Sequence, residues 1–282
     1  MDAVLDPSVR VIVWAKSTQV GYTDAVLNNI IGYYIDVDPR PIMIVLPVVD
    51  DAKGFSKKKI TPMIEATAAL RDKVRVATAR RAGNTLQLKE FPGGFLKLTG
   101  ANSGKGLRSD PIAVLLLDEV DAYPDDVAGE GDPLEIAMRR TDTYDDAKII
   151  MGSTPAKPAG ISRIEQEYKR SDQRRYFVPC PHCGHFQPLQ WRNPNTTGYC
   201  LDFERTTSGD VVPGSVRYVC VNCQIGIDEK HKRAMLGAGR WNATAEGRPG
   251  VRGYHINALY SPWRMVWEEL AQEWINAQDN PE

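Results

Sequence analysis

The residues Ile112-Ala-Val-Leu-Leu-Leu117 form an unbroken aliphatic run that stops abruptly at Asp118-Glu119. A run of this kind, without polar alternation, predicts a strand buried on both faces, and such strands belong to parallel sheets covered by helices. Val11 to Ala15, Ile42 to Leu46 and the segment Lys148-Ile-Ile-Met151 repeat the pattern. The first is followed by apolar residues at helical spacing (Val26, Leu27, Ile30, Ile31, Tyr34), the second by a helix expected over residues 52–70. Strand and helix therefore alternate, which predicts an α/β fold with a mostly parallel sheet and helices on both faces.

In an open sheet of this type, ligands bind outside the carboxyl ends of the strands. Three strand ends here carry chemistry. The first leads into Lys16-Ser-Thr-Gln-Val-Gly-Tyr-Thr23, a glycine-containing turn between strand and helix. A phosphate-binding loop normally reads Gly-x-x-x-x-Gly-Lys-Ser/Thr. Here Lys16 stands in place of the first glycine, Gly21 keeps the second, Tyr22 replaces the lysine and Thr23 keeps the hydroxyl. A lysine entering from the front can still bring its charge to a phosphate, since its flexible stem needs only to deliver a point charge. The alternative is an ordinary strand-to-helix turn.

The second strand end carries Asp118-Glu119, the arrangement by which nucleoside triphosphatases hold a magnesium shell and polarise an attacking water. A solvated strand end is the plainer alternative. The third carries Ser153-Thr154, whose hydroxyls can reach a hydrolytic water or simply close a strand before Pro155. Ahead of the Asp-Glu strand, Gly100-Ala-Asn-Ser-Gly-Lys-Gly-Leu-Arg108 is either a small-residue connector or a loop that sends Arg108 towards a γ-phosphate, within the subunit or into a neighbour. Alternating Leu86, Leu88, Phe95, Leu96 and Leu98 around Pro92-Gly93-Gly94 predict a β-hairpin. Lys57-Lys-Lys59, with Arg75, Arg80 and Arg81 beyond, read as a solvated basic face or as phosphate contacts.

Four of the five cysteines form two knuckles, Cys180-Pro-His-Cys183 and Cys220-Val-Asn-Cys223, with 36 residues between them. Two such pairs complete a four-thiolate zinc site of the ribbon type, with every position filled by protein and none left open for catalysis. Cys200 reads as a buried thiol. Near the carboxyl end, Ser261-Pro262 is expected to open a helix whose apolar face (Trp263, Val266, Trp267, Leu270, Trp274) packs back on the sheet domain. The domains read as 1–172, a nucleotide-binding sheet; 173–227, a zinc ribbon; and 228–282, a linker with that helix.

With 35 basic and 36 acidic residues the chain carries a formal charge of -1, so any nucleic-acid contact must be local. No stretch approaches the ~18 apolar residues of a membrane span.

Taken together, Lys-Ser-x-x-Val-Gly-Tyr-Thr, Gly-Leu-Arg before Leu-Leu-Leu-Asp-Glu-Val-Asp-Ala-Tyr-Pro, Gly-Ser-Thr-Pro and Cys-Pro-His-Cys-Gly resemble the large terminase subunit of lambda-type tailed phages. The resemblance implies an ASCE-type P-loop nucleoside triphosphatase that hydrolyses ATP to drive double-stranded DNA into a procapsid. It implies phosphate binding by Lys16, Ser17, Gly21 and Tyr22, magnesium ligation by Thr23 and Asp118, catalysis by Glu119, and coupling through Ser153-Thr154. Arg108 as an arginine finger extends that set. The implied cofactors are ATP, Mg2+ and Zn2+. The implied partners are double-stranded DNA, a small terminase subunit, the portal protein and further copies of the chain, in the host cytoplasm at the portal vertex. The family's carboxyl-terminal nuclease is not expected within these residues, and the segment before the phosphate loop is short for an adenine-binding element. A superfamily-two helicase-like translocase and a non-catalytic zinc-stabilised scaffold are the competing readings.

Overall fold

The computed structural model describes residues 1–74, 85–158, 160–262 and 266–279. The chain divides into two compact units. The first comprises residues 1–15, 21–173 and 246–253, the second residues 16–20, 174–245 and 254–282.

In the first unit, β1 (Val11–Lys16), β2 (Ile42–Leu46), β3 (Leu88–Phe91), β4 (Gly94–Gly100), β5 (Val114–Asp118) and β6 (Lys148–Ser153) lie in the order β1-β6-β5-β2-β4-β3. All neighbours run parallel except β3 and β4, which form the expected hairpin. That hairpin is not a separate feature: β4 pairs along its length with β2, from Ile42 opposite Leu96 to Leu46 opposite Gly100. The fold is thus mixed α/β with a mostly parallel central sheet.

The aliphatic runs are buried on both faces. Val13, Met43, Val45, Leu115, Leu117, Ile149 and Met151 share one cluster with Leu107, Val120, Tyr123, Leu134, Ala137 and Ile164. The alternate residues Ile12, Ile44, Val114, Leu116 and Ile150 are equally shut off from solvent. At roughly 25 cal/mol per Å² of apolar surface removed from water, this two-sided burial is the main force that holds the strands in the core.

The single helix expected over 52–70 is broken into Val49–Phe55, a π-helical turn Ser56–Ile60, Thr61–Ala66 and Ala68–Lys73. The break falls at Thr67, whose extended backbone (φ -106°, ψ 109°) suits a β-branched residue. Lys59 pairs with Asp24 at 3.1 Å, on the exposed side of the π-helical turn Thr23–Leu27. Arg75, Arg80 and Arg81 lie outside the described residues.

In the second unit, β7 (Arg174–Pro179) pairs antiparallel with β8 (Phe186–Pro188) and with β12 (Arg240–Asn242), and parallel with the end of β13 (Val251–Ile256). A second small sheet holds β9 (Leu201–Asp202), β10 (Arg217–Val219) and β11 (Gly226–Ile227). The carboxyl-terminal helix begins at Trp267 and runs to Asp279. Its apolar face corrects the expectation of packing on the nucleotide domain: Trp267, Leu270, Ala271 and Ile275 join one core cluster with Val178, Cys200, Tyr218 and Ile227. The indole N–H of Trp267 donates to the Leu259 carbonyl at 3.1 Å, so even the polar edge of this buried ring is satisfied. Trp263 lies outside the described residues. Among the described residues no helix is long and apolar enough to cross a membrane.

Candidate functional site

Parallel pairing brings the strand ends of the first unit side by side. Asp118, the last residue of β5, stands opposite Gly152 on β6, and Ala15 on β1 stands opposite Ser153. Beyond the strand the chain turns sharply. Glu119 has φ 54° and ψ 51°, the left-handed region that costs a residue with a Cβ about 1–2 kcal/mol. Its amide donates to the Gly152 carbonyl at 2.7 Å and its carbonyl accepts from Ala122 at 3.0 Å, which hold it there.

This turn aims the Glu119 carboxylate across to β6. Oε2 accepts the Thr154 amide at 3.2 Å and lies 3.3 Å from the Ser153 hydroxyl. That hydroxyl also lies 3.0 Å from the Thr154 carbonyl and accepts the Asp121 amide at 3.3 Å. Its single proton serves one of the two oxygens at a time. Asp118 is buried, and its Oδ1 accepts the amide of Glu119.

Tyr22 completes this group. Its ring packs so tightly on Gly152 that a Cβ added there would lie 2.5 Å from the phenol ring. Burial first, then the charges of Asp118 and Glu119, push the Tyr22 hydroxyl well above the usual phenol range, so it remains a neutral O–H. Gly21 before it has φ +80°, a conformation that requires glycine. Thr23 opens the π-helical turn Thr23–Leu27 that continues as helix Asn28–Asp36. Lys16 ends β1 and is buried. The Ser17 amide donates to the Ile256 carbonyl at 2.9 Å.

Arg108 is placed elsewhere. It ends the short helix Gly104–Arg108, half-exposed, with its guanidinium 2.8 Å from Glu130 and its Nε donating to the Gly104 carbonyl. Sequence reasoning missed two residues that join the strand-end loops. Asp121 is buried, and its carboxylate accepts the amides of Ala156 (3.1 Å) and Ile164 (3.0 Å). Arg163 donates to the carbonyls of Val120 (3.3 Å), Tyr123 (2.8 Å) and Pro124 (2.9 Å). The clue available in the sequence was the third acid of Asp-Glu-Val-Asp, which follows Val120 and precedes Ala122.

In the second unit the two cysteine knuckles are the turns of two hairpins, β7–β8 and β10–β11. They fold alike. The Cys180 amide donates to the His185 carbonyl and the Gly184 amide to the Cys180 carbonyl; Cys220, Ile225 and Gln224 repeat both bonds. Gly184 (φ +71°) and Gln224 (φ +58°) take the same left-handed turn. All four sulfurs lie within 4.8 Å of one another, with Cys180 to Cys223 at 3.9 Å and Cys183 to Cys220 at 3.8 Å. Burial pushes the Cys180 thiol up, while the amide of His185 brings Cys183 down to about 6. Among the described residues, this is the group of Cys, His, Asp and Glu side chains gathered closely enough to hold a metal ion.

Residues 1–241 match the family model for the phage terminase large subunit gpA, ATPase domain. The terminase large subunit of Enterobacteria phage P21 is 28% identical over 100% of this chain, and that of Escherichia phage lambda 29% over 99%. The chain spans 45% of the length of each. The large terminase ATPase domain of Thermus phage P74-26 has the same fold, with a TM-score of 0.51 over 97% of this chain and 84% of that one at 13% identity. The strand-end site lies wholly within the matched segment, and the chain belongs to the phage terminase large subunit family as a gpA-type ATPase domain.

Proposed function

We propose that the chain hydrolyses ATP and that this hydrolysis drives double-stranded DNA into a procapsid, the work of a packaging motor. The observation that carries the reading is the Glu119 carboxylate, turned by a left-handed backbone from the end of β5 onto the Ser153 hydroxyl and Thr154 amide at the end of β6. Residues are seldom held in this conformation unless the surroundings impose it, and such positions cluster at active sites.

In this reading Lys16, Ser17, Gly21 and Tyr22 form the phosphate loop. Lys16 offers the charge that a phosphate needs and the backbone around Gly21 offers its amides. The carboxylate of Asp118 and the hydroxyl of Thr23 are hard oxygen donors of the kind magnesium prefers, and they would hold the ion. When bound, Mg2+ supplies charge neutralisation at the phosphate oxygens. Glu119 accepts a hydrogen bond from the attacking water and so orients it in line with the phosphorus. Water adds as the bond to the ADP oxygen breaks, giving ADP and inorganic phosphate. Ser153 and Thr154, already bonded to the Glu119 carboxylate, register the change. Arg108 contributes as an arginine finger once it leaves Glu130.

The four cysteines would hold a structural zinc. A tetrahedral ion with Zn–S near 2.3 Å requires sulfurs about 3.8 Å apart, in agreement with Cys180 to Cys223 at 3.9 Å and Cys183 to Cys220 at 3.8 Å. Zinc supplies a cross-link between two hairpins there and no open coordination position. The proposed partners are double-stranded DNA, the small terminase subunit, the portal protein and further copies of this chain.

The test is ATP turnover by the full chain, with and without double-stranded DNA, beside Glu119→Gln and Lys16→Ala. Glu119→Gln is expected to keep nucleotide binding and lose turnover by on the order of 100-fold or more, and Lys16→Ala to lose binding. Wild-type turnover in Glu119→Gln would remove the assignment.

A further inference from the structure

The loop after β5 and the loop after β6 are joined by a reciprocal clasp. The acid of the first, Asp121, takes two amides of the second, those of Ala156 and Ile164. The base of the second, Arg163, takes three carbonyls of the first, those of Val120, Tyr123 and Pro124. Asp121 is 2% exposed, and the Arg163 side chain 13%. Their backbone partners lie on either side of the Glu119–Ser153 contact, and the Arg163 guanidinium is held in addition by the carboxylates of Asp125 (3.3 Å) and Asp132 (3.5 Å).

We propose that Asp121 and Arg163 are positioning residues for the Glu119 carboxylate, acting through Ser153 and the left-handed turn, and that they tie its placement to the helix Arg163–Arg170. The inference rests on the reading of Glu119 given above. Three links connect them. The amide of Asp121 donates to the Ser153 hydroxyl, so the residue that clasps the second loop also fixes the group beside Glu119. The Asp121 carboxylate fills the amides of Ala156, two residues past Thr154, and of Ile164, in the first turn of a helix whose Ser162 cap accepts the Glu165 amide. Arg163 then gathers the carbonyls that Glu119's turn exposes. An unsupported residue at φ 54° relaxes to right-handed or extended backbone, which swings its side chain away from β6. The clasp opposes that relaxation. The same bonds give the helix a direct connection to any shift of the carboxylate, because Ile164 is fully buried in the sheet core and moves with it.

Asp121→Asn tests the first half of the clasp. The asparagine oxygen can accept one amide, while its NH2 faces the other donor. With the full chain, kcat for ATP is expected to fall about 10- to 100-fold, the range for a misplaced catalytic group, with KM changed less than about threefold. In a Glu119→Gln background the same substitution is expected to lower the residual turnover less than about twofold, because its effect passes through the Glu119 carboxylate. Arg163→Lys, which keeps charge and loses the three-carbonyl fork, is expected to show the same kcat-against-KM split and carries the test if Asp121→Asn lacks a cooperative melt. A folded Asp121→Asn or Arg163→Lys with wild-type kcat overturns the proposal, as does a loss that multiplies in full on Glu119→Gln. The two readings fail separately. Full turnover in Glu119→Gln removes the Glu119 assignment, whereas an inactive Glu119→Gln beside a fully active Asp121→Asn removes only the clasp.

Discussion

The Ser153 hydroxyl stands 3.3 Å from Oε2 of Glu119, across the ends of two neighbouring parallel strands. One oxygen thereby serves three groups: it accepts the Asp121 amide and offers its proton to Glu119 or to the Thr154 carbonyl. Ser153→Ala removes the acceptor and leaves a buried amide without a partner, a cost of about 1–3 kcal/mol. The expected outcome is a lower melting temperature, retained nucleotide binding, and a fall in turnover of roughly tenfold or more, read by calorimetry, analogue binding and phosphate release. Unchanged stability and turnover would show that the hydroxyl is idle.

Gly152 and Tyr22 form a matched pair, since a Cβ at 152 would meet the phenol ring at 2.5 Å. Gly152→Ala forces the ring aside or the strand apart, and overpacking of this kind costs typically about 1–3 kcal/mol. Tyr22→Leu shortens the side chain that Gly152 accommodates. In the double variant much of the destabilisation by Gly152→Ala is expected to disappear, as measured by a four-member denaturation cycle. Strictly additive losses would count against direct contact as the cause.

The cysteine knuckles predict one zinc per chain. Metal analysis of the purified chain should find it, and chelation should lower the thermal stability of the second unit, whose core includes Cys180, Cys200 and Cys220. Cys220→Ser is expected to reproduce the chelated melting curve. A metal-free chain with the same melting curve would rule out a structural ion.

His255 supplies a pH dependence of stability. Burial first, then the charge of Arg175, lowers its pKa from 6.5 to about 4. As pH falls below about 6.5 the unfolded chain takes up a proton that the folded chain refuses, so stability declines down to about pH 4 and levels off below it. The slope for one such group approaches about 1.4 kcal/mol per pH unit. His255→Gln should flatten that part of the profile in urea titrations at stepped pH, and an unaltered slope would assign it to other groups.

The two-sided aliphatic runs made the central strands legible, because strands such as Val114–Asp118 and Ile42–Leu46 are buried at every position. Their carboxyl ends were legible for the same reason: the polar residues that interrupt such runs mark where the chain leaves the sheet. The membership of β4 in the main sheet was not, since its alternation reflects the hairpin with β3 while its pairing with β2 is non-local. The expectation that the Trp267–Asp279 helix would cover the nucleotide domain failed because an amphipathic face specifies burial without specifying its partner. Asp121 and Arg163 were not legible because Asp121 bonds backbone amides, and Arg163 bonds three carbonyls beside its carboxylate partners Asp125 and Asp132, and backbone partners leave no spacing in a sequence. Arg108 pairs with Glu130 from a different loop, a partner that its position in the chain does not reveal.

The left-handed backbone at Glu119 sets stability and turnover against each other at one position. Glycine or asparagine would occupy that conformation with less strain, and neither carries the carboxylate to which the proposed hydrolysis assigns the attacking water. A variant library of this chain selected only for heat resistance would therefore be expected to enrich inert molecules at residue 119, so any thermostabilisation of this ATPase domain needs activity as a second filter.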